Sequence, residues 1–229
     1  MTQPLRGLIG LVGGAEWTPS CTFDGMLLEA SKTDVVSVLP TAAAYEYPDM
    51  AIETARGHFE KLDAKVDPIM ILSRSDASDE KWLSKLAASR FIYLGGGSPH
   101  HLRSVLWQSP ALDAIVSAWK DGATIVGSSA GGMVLTDPMV DPRGGAFTVG
   151  LGLLKKVAFI PHYSQWSSEK RERTHYLEGA QFVTVGVDEA NLLYRTPNGK
   201  FELVGSGEFE AYFDGSPVGI DDLEFHVEV

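Results

Sequence analysis

Apolar positions along the 229 residues fall into two alternating patterns. The first is a short unbroken run rich in β-branched and large aliphatic residues: Leu8–Val12, Asp34–Leu39, Asp67–Leu72, Arg90–Leu94, Ala123–Val126 and Val157–Pro161. The second has helical spacing. It passes through Met50, Ile52, Ala55, Phe59 and Leu62, recurs over Asp79–Ala88 with Trp82, Leu83 and Leu86 on one face, and returns around His101–Trp107 and Leu112–Trp119. Continuous apolar strands separated by amphipathic helices predict an α/β three-layer sandwich, a mostly parallel sheet with helices on both faces. The last third changes character. Val183–Val187, Leu192–Arg195, Phe201–Val204 and Glu210–Phe213 read as strands, and Pro197-Asn198-Gly199 predicts a hairpin, so antiparallel C-terminal strands are expected to extend the sheet. With no linker, repeat or low-complexity stretch, residues 1–229 are expected to form one domain.

Composition narrows the function classes. Hydrophobic residues make up 44% and charged residues 21%, a globular profile. The formal net charge of −11 repels a phosphate backbone and an anionic lipid surface, so neither nucleic acid nor membrane is an expected partner. No apolar run approaches the roughly 18–20 residues of a membrane span. Leu8–Val12 is too short for the apolar core of a secretory leader and reads as a first strand. The lone cysteine, Cys21, forms no internal disulfide and reads as a small buried hydrophobe, so a cytoplasmic protein is expected.

Residues 127–131 read Gly-Ser-Ser-Ala-Gly, a G-x-S-x-G pattern centred on Ser129. It follows the strand-like ATIV and precedes Gly132–Leu135, which can open a helix. That is the setting of a nucleophile elbow, a sharp strand-to-helix turn whose crowded neighbours must be small. The turn exposes the serine hydroxyl near a helix amino terminus, where peptide dipoles favour negative charge. A phosphate cradle is the other use of such a turn, but the lysine of a G-x-x-x-x-G-K-[ST] loop is missing. A serine nucleophile needs a base, and six histidines are available. His162 follows an apolar strand and so shares a strand's carboxyl end with the position of Ser129. His101, after the Gly95-Gly96-Gly97 loop, is the rival; His58 reads as a surface residue. No H-E-x-x-H or C-x-x-C pattern is present, so no metal and no cofactor is expected.

With these residues in place the chain resembles peptidase family S51, the aspartyl dipeptidases and cyanophycinases, on a class I glutamine amidotransferase-like fold. The anchors run in order over about residues 8–205: LVGGAE at 11–16, LPTAA at 39–43, YLGGGSPHHL at 93–102, GSSAGG at 127–132, GLGLL at 150–154, IPHYSQW at 160–166 and VGVDEANLL at 185–193. The resemblance implies Ser129 as nucleophile and His162 as base. It implies an acidic third member between them, about twenty residues before the histidine, where spacing favours Asp141 over Asp137; Glu189 would support the site rather than join the triad. The oxyanion hole would use the N–H groups of Ala130 and of Gly96 or Gly97. Where the family usually has GG[DN]Q, this chain has Gly96-Gly97-Ser98-Pro99. Arg171 and Arg173, in the segment where the family carries arginines, would clamp an acidic substrate, against the alternative of a solvated, charge-paired helix face.

The expected function is therefore serine-type hydrolysis of a small peptide or isopeptide bond, with an aspartyl dipeptide as first choice of substrate. An esterase or amidase on the same elbow, or a non-catalytic protein binding a small acidic ligand, are the alternatives. The assembly is left open, a homodimer included.

Overall fold

The computed structural model describes residues 6–143 and 146–229. From the amino end, β1 (Ile9–Val12) leads through a glycine turn to α1 (Asp24–Ser31), β2 (Val35–Leu39), α2 (Pro48–Phe59) and β3 (Lys65–Pro68). Then come α3 (Glu80–Ala88), β4 (Phe91–Leu94), α4 (Pro99–Leu106), α5 (Pro110–Lys120), β5 (Thr124–Ser128) and α6 (Ala130–Leu135). Four two-residue strands follow, β6 (Thr136–Asp137), β7 (Met139–Val140), β8 (Phe147–Thr148) and β9 (Leu154–Lys155), before β10 (Val157–Pro161) and α7 (Ser168–Glu178). The chain closes with β11 (Val183–Val187), β12 (Leu192–Arg195), β13 (Phe201–Val204), β14 (Phe209–Phe213), β15 (Ser216–Pro217) and α8 (Leu223–His226).

The strands form a seven-stranded sheet, β13-β12-β1-β5-β4-β2-β3, and a six-stranded sheet, β15-β14-β11-β10-β6-β9; β7 and β8 pair separately. In the first sheet, β1 through β5 pair in parallel, while β12 adds antiparallel to β1 and β13 to β12. Its side chains alternate between two faces, as strand geometry requires. Ile9, Leu11, Ile92, Leu94 and Ile125 pack with Leu86, Leu102 and Ile115 of α3, α4 and α5. Val12, Phe91, Tyr93 and Val126 pack on the other face with Leu27 of α1 and Ile52 and Phe59 of α2. The second sheet joins the first of these cores through Phe159, Ile160, Val183, Val185 and Val187. α6 contacts both β5 and β10; a Cβ added at Gly132 would lie 2.7 Å from the Phe159 ring, so the helix after the elbow fits against β10 only because that position is bare.

Three expectations change. The C-terminal strands do not simply extend one sheet: β12 and β13 do, across the expected hairpin, but β14 and β15 belong to the second sheet, beside the parallel pair β10–β11. The strand expected over 67–72 is instead Lys65–Pro68: Ile69 N still donates to the Val38 carbonyl (2.9 Å), but the chain then turns on itself, with Ile71 N donating to the Ile69 carbonyl (2.8 Å). His58 is not a surface residue. It lies against the wholly buried Asp24, with Nε2 2.9 Å from Oδ2, and burial raises the Asp24 pKa. The lone cysteine is buried as expected. No helix among the described residues is long and apolar enough to cross a membrane.

Candidate active site

The elbow is strained where the motif requires it. Ser129 sits at φ 48°, ψ −111°, a conformation L-residues rarely adopt. A Cβ at Gly127 would come within 2.4 Å of the Gly131 backbone, and one at Gly131 within 2.2 Å of the Leu94 carbonyl. Both flanking glycines are therefore sterically required.

The hydroxyl of Ser129 lies 2.9 Å from His162 Nε2, and His162 Nδ1 lies 2.7 Å from Glu189 Oε1. An ionised carboxylate only accepts, so Nδ1 carries the proton and Nε2 is free to accept from the serine. His162 directly follows β10 with φ 51°, ψ 40°; Glu189 lies in the turn between β11 and β12. Three consecutive carbonyls at the end of β1 hold the three segments together: Val12 accepts from Ser129 N (2.9 Å), Gly13 from His162 N (2.8 Å) and Gly14 from Ala190 N (2.9 Å). Gly14 also lies under the imidazole. It has φ +124°, and a Cβ there would stand 2.2 Å from His162 Cε1.

The turn carrying Glu189 is braced by its neighbours. Buried Asn191 donates to the Glu189 carbonyl (2.7 Å) and accepts from Gly207 N (2.8 Å). Asp188 accepts from Ser164 N (2.6 Å) and Glu208 N (3.0 Å), tying this turn to the residues after His162. Sequence reasoning missed both anchors, although they lie within the VGVDEANLL motif it had singled out. A polar cleft of about 640 Å³ opens here, lined by Ser20, Thr22, Ser164, Asp188, Glu189 and Asn191 among others, within the size range of small-molecule sites.

The structure does not bring Asp141 to His162. Its carboxylate accepts from Arg143 N (2.9 Å), Nε (3.0 Å) and Nη2 (2.7 Å), and its other neighbour is His100 at 3.5 Å. The Arg143 guanidinium holds the Asp141 pKa well below the usual carboxylate range. Asp137 is also engaged elsewhere, accepting from Gly150 N at 3.0 Å. The position beside His162 Nδ1 belongs to Glu189. The family resemblance, with its spacing, favoured Asp141, but the side chain two residues on satisfies it locally. The rival base His101 is occupied too, with Nε2 2.9 Å from the Leu72 carbonyl.

Of the amides expected to hold an oxyanion, Gly96 N–H donates to Glu16 Oε1 at 2.7 Å. Those of Ala130 and Gly97 donate to no group among the described residues. The departure at Ser98-Pro99 has a local reason: Ser98 caps α4 by accepting from His101 N, and Pro99 occupies the first turn, where no N–H is needed. Arg171 lies 5.0 Å over the Tyr163 ring and 3.8 Å from Glu208, in a cleft shared with Glu172 and Glu210. Arg173 is exposed on α7 and makes no ion pair among the described residues.

A model of peptidase family S51 matches residues 19–202. The chain is 25% identical over 221 residues to a cyanophycinase of Synechococcus elongatus, covering 88% of this chain and 66% of that protein, so it spans about two thirds of that relative's length. It is 30% identical over 202 residues to the uncharacterized peptidase YgaJ of Bacillus subtilis (strain 168), covering 85% of this chain and 84% of that one. Its fold matches the crystal structure of a peptidase from an acI-B1 actinobacterium with a TM-score of 0.82 at 23% identity, over 95% of this chain and 98% of that one. A putative peptidase E of Listeria monocytogenes matches with a TM-score of 0.64 at 16% identity, over 88% of this chain and all of that one. By the span of this match, which takes in well over half of its residues, the chain belongs to peptidase family S51.

Proposed function

We propose that the protein is a serine peptidase that hydrolyses a small peptide or isopeptide bond through Ser129, His162 and Glu189. The observation that carries the reading is the continuous pair of hydrogen bonds, 2.9 Å from Ser129 to His162 and 2.7 Å from His162 to Glu189. His162 Nε2 takes the Ser129 proton as the hydroxyl oxygen attacks the substrate carbonyl, and Glu189 stabilises the imidazolium that forms. The N–H groups of Ala130 and Gly97 receive the oxyanion. His162 then gives its proton to the leaving amine, and an acyl-enzyme remains on Ser129. Water, deprotonated by the same imidazole, releases the acid and restores the hydroxyl.

Family membership supports the peptide class, as does a relative named a peptidase, YgaJ of Bacillus subtilis. An aspartyl dipeptide is the finer part of the proposal. Arg171 supports it, packed on the residue after His162, although an anionic group there would compete with the resident Glu172 and Glu210. The test is incubation of the wild-type protein and Ser129→Ala with Asp-Xaa dipeptides, β-aspartyl peptides and simple acyl esters, with products read by mass spectrometry. Peptide cleavage by wild type alone is expected. Cleavage of esters only would make it an esterase on the same elbow, and equal turnover by both proteins would remove Ser129 from the mechanism.

A further inference from the structure

On the reading that Ser129 is a nucleophile, we propose that Glu16 is its positioning residue: one carboxylate bridging the glycine loop after β4 and the strand that carries the serine. Oε1 accepts from Gly96 N–H at 2.7 Å and Oε2 accepts from the Ser128 hydroxyl at 2.7 Å. These partners stand 80 and 112 residues away along the chain, so the contact is tertiary and serves no local turn. Both lie against the nucleophile. Ser128 is wholly buried and precedes Ser129 in the chain, while a Cβ at Gly96 would sit 3.5 Å from Ser129 Cβ. Hydrogen bonds to an ionised carboxylate are among the stronger ones, so the bridge is stiff.

The bridge has two consequences. It commits the Gly96 amide, so of the three N–H groups around the elbow only those of Ala130 and Gly97 are left for an oxyanion. It also sets the separation between the loop that carries Gly97 and the turn that carries Ser129 and Ala130. These are the two supports on which a tetrahedral intermediate would rest. Glutamine can keep this geometry without the charge: its carbonyl accepts from Gly96 and its amide donates to the Ser128 oxygen. Alanine removes both bonds.

The test measures kcat and KM on the best substrate, alongside the rate at which a fluorophosphonate probe labels Ser129, a readout that needs no knowledge of the natural substrate. Loss of geometry at a reacting centre costs about 100-fold, so Glu16→Ala is expected to lose that much in kcat and in labelling rate while KM stays within about threefold. Glu16→Gln is expected to stay within about fivefold of wild type. Ser128→Ala leaves Glu16 charged and removes half of the bridge, and is expected to fall between the two. If Glu16→Ala does not fold, the glutamine and Ser128 variants carry the comparison. A labelled wild type whose rate ignores Glu16→Ala overturns the inference alone. So does a loss confined to KM, which marks a substrate contact, or a glutamine variant as slow as alanine, which assigns the effect to charge. A wild-type protein that neither labels nor hydrolyses overturns the nucleophile reading and this inference with it.

Discussion

The two halves of the site are built in different ways. On the first sheet, Ser129 stands at the apex of a strand-to-helix turn written in one short stretch, with Gly127 kept bare by the Gly131 backbone within the turn and Gly131 by the Leu94 carbonyl of β4. On the second sheet, His162 and Glu189 owe their positions to partners far away in sequence. The parallel pairing of β10 with β11, the Asp188 and Asn191 anchors, and the carbonyls at the end of β1 aim them. The elbow is thus written in five consecutive residues and only braced from elsewhere, while the proposed base and acid are brought to it by the whole fold.

Substitutions can break that contrast at several points. The largest effect is expected from His162→Ala, a loss of about 10⁴-fold or more in kcat, measured by steady-state hydrolysis, because serine without a base is a poor nucleophile. Glu189→Gln should follow, with a loss of about 10³–10⁴-fold, whereas Asp141→Asn should stay within about threefold; the reverse order would return the acid role to Asp141. Gly14→Ala is expected to displace the imidazole and cost about 100-fold in kcat, with a crystal structure of the variant showing the ring moved. If activity survives, the ring has another path and the second half of the site is less constrained than its contacts imply.

The smallest effect concerns stability. His175, behind Tyr163, has its ring nitrogens 2.9 Å from the Tyr163 hydroxyl and 2.6 Å from that of Thr184. Burial pushes its pKa from 6.5 down to about 4, with Glu210 and Arg171 as the charged neighbours. The unfolded chain therefore binds a proton between these values that the folded chain refuses, and folding stability falls as pH drops from 6.5 toward 4. Glu178, whose pKa burial raises, hydrogen-bonds to the same Thr184 and acts in the opposite sense. Comparison of wild type with His175→Gln isolates the histidine: melting curves across that window should show the variant losing less, by on the order of 1–3 kcal/mol. Parallel curves would assign the acid sensitivity elsewhere.

How much was legible in the sequence follows the same division. The elbow could be read because its requirement for small neighbours is written in adjacent letters. The hairpin of β12 and β13 was legible from Pro197-Asn198-Gly199, and His162 from its place after an apolar strand. The second sheet was not, because periodicity says that β10 and β11 are strands and nothing about which sheet they join. Spacing favoured Asp141, but a carboxylate takes the nearest strong donor, and Arg143 is two residues away. Glu16 stood in the sequence only as the last residue of the LVGGAE anchor, with no role attached, since the pair of donors that marks it out is met only after folding.

The three carbonyls at the end of β1 also bear on synthesis. A ribosome makes them first, but the amides they receive come from residues 129, 162 and 190, the last of these in the final fifth of the chain. Until that last segment has emerged and paired, His162 lacks the carboxylate of Glu189 that would orient it on the proposed mechanism. On that mechanism, a chain truncated before Glu189 is expected to be slow toward peptides in its surroundings, its own included.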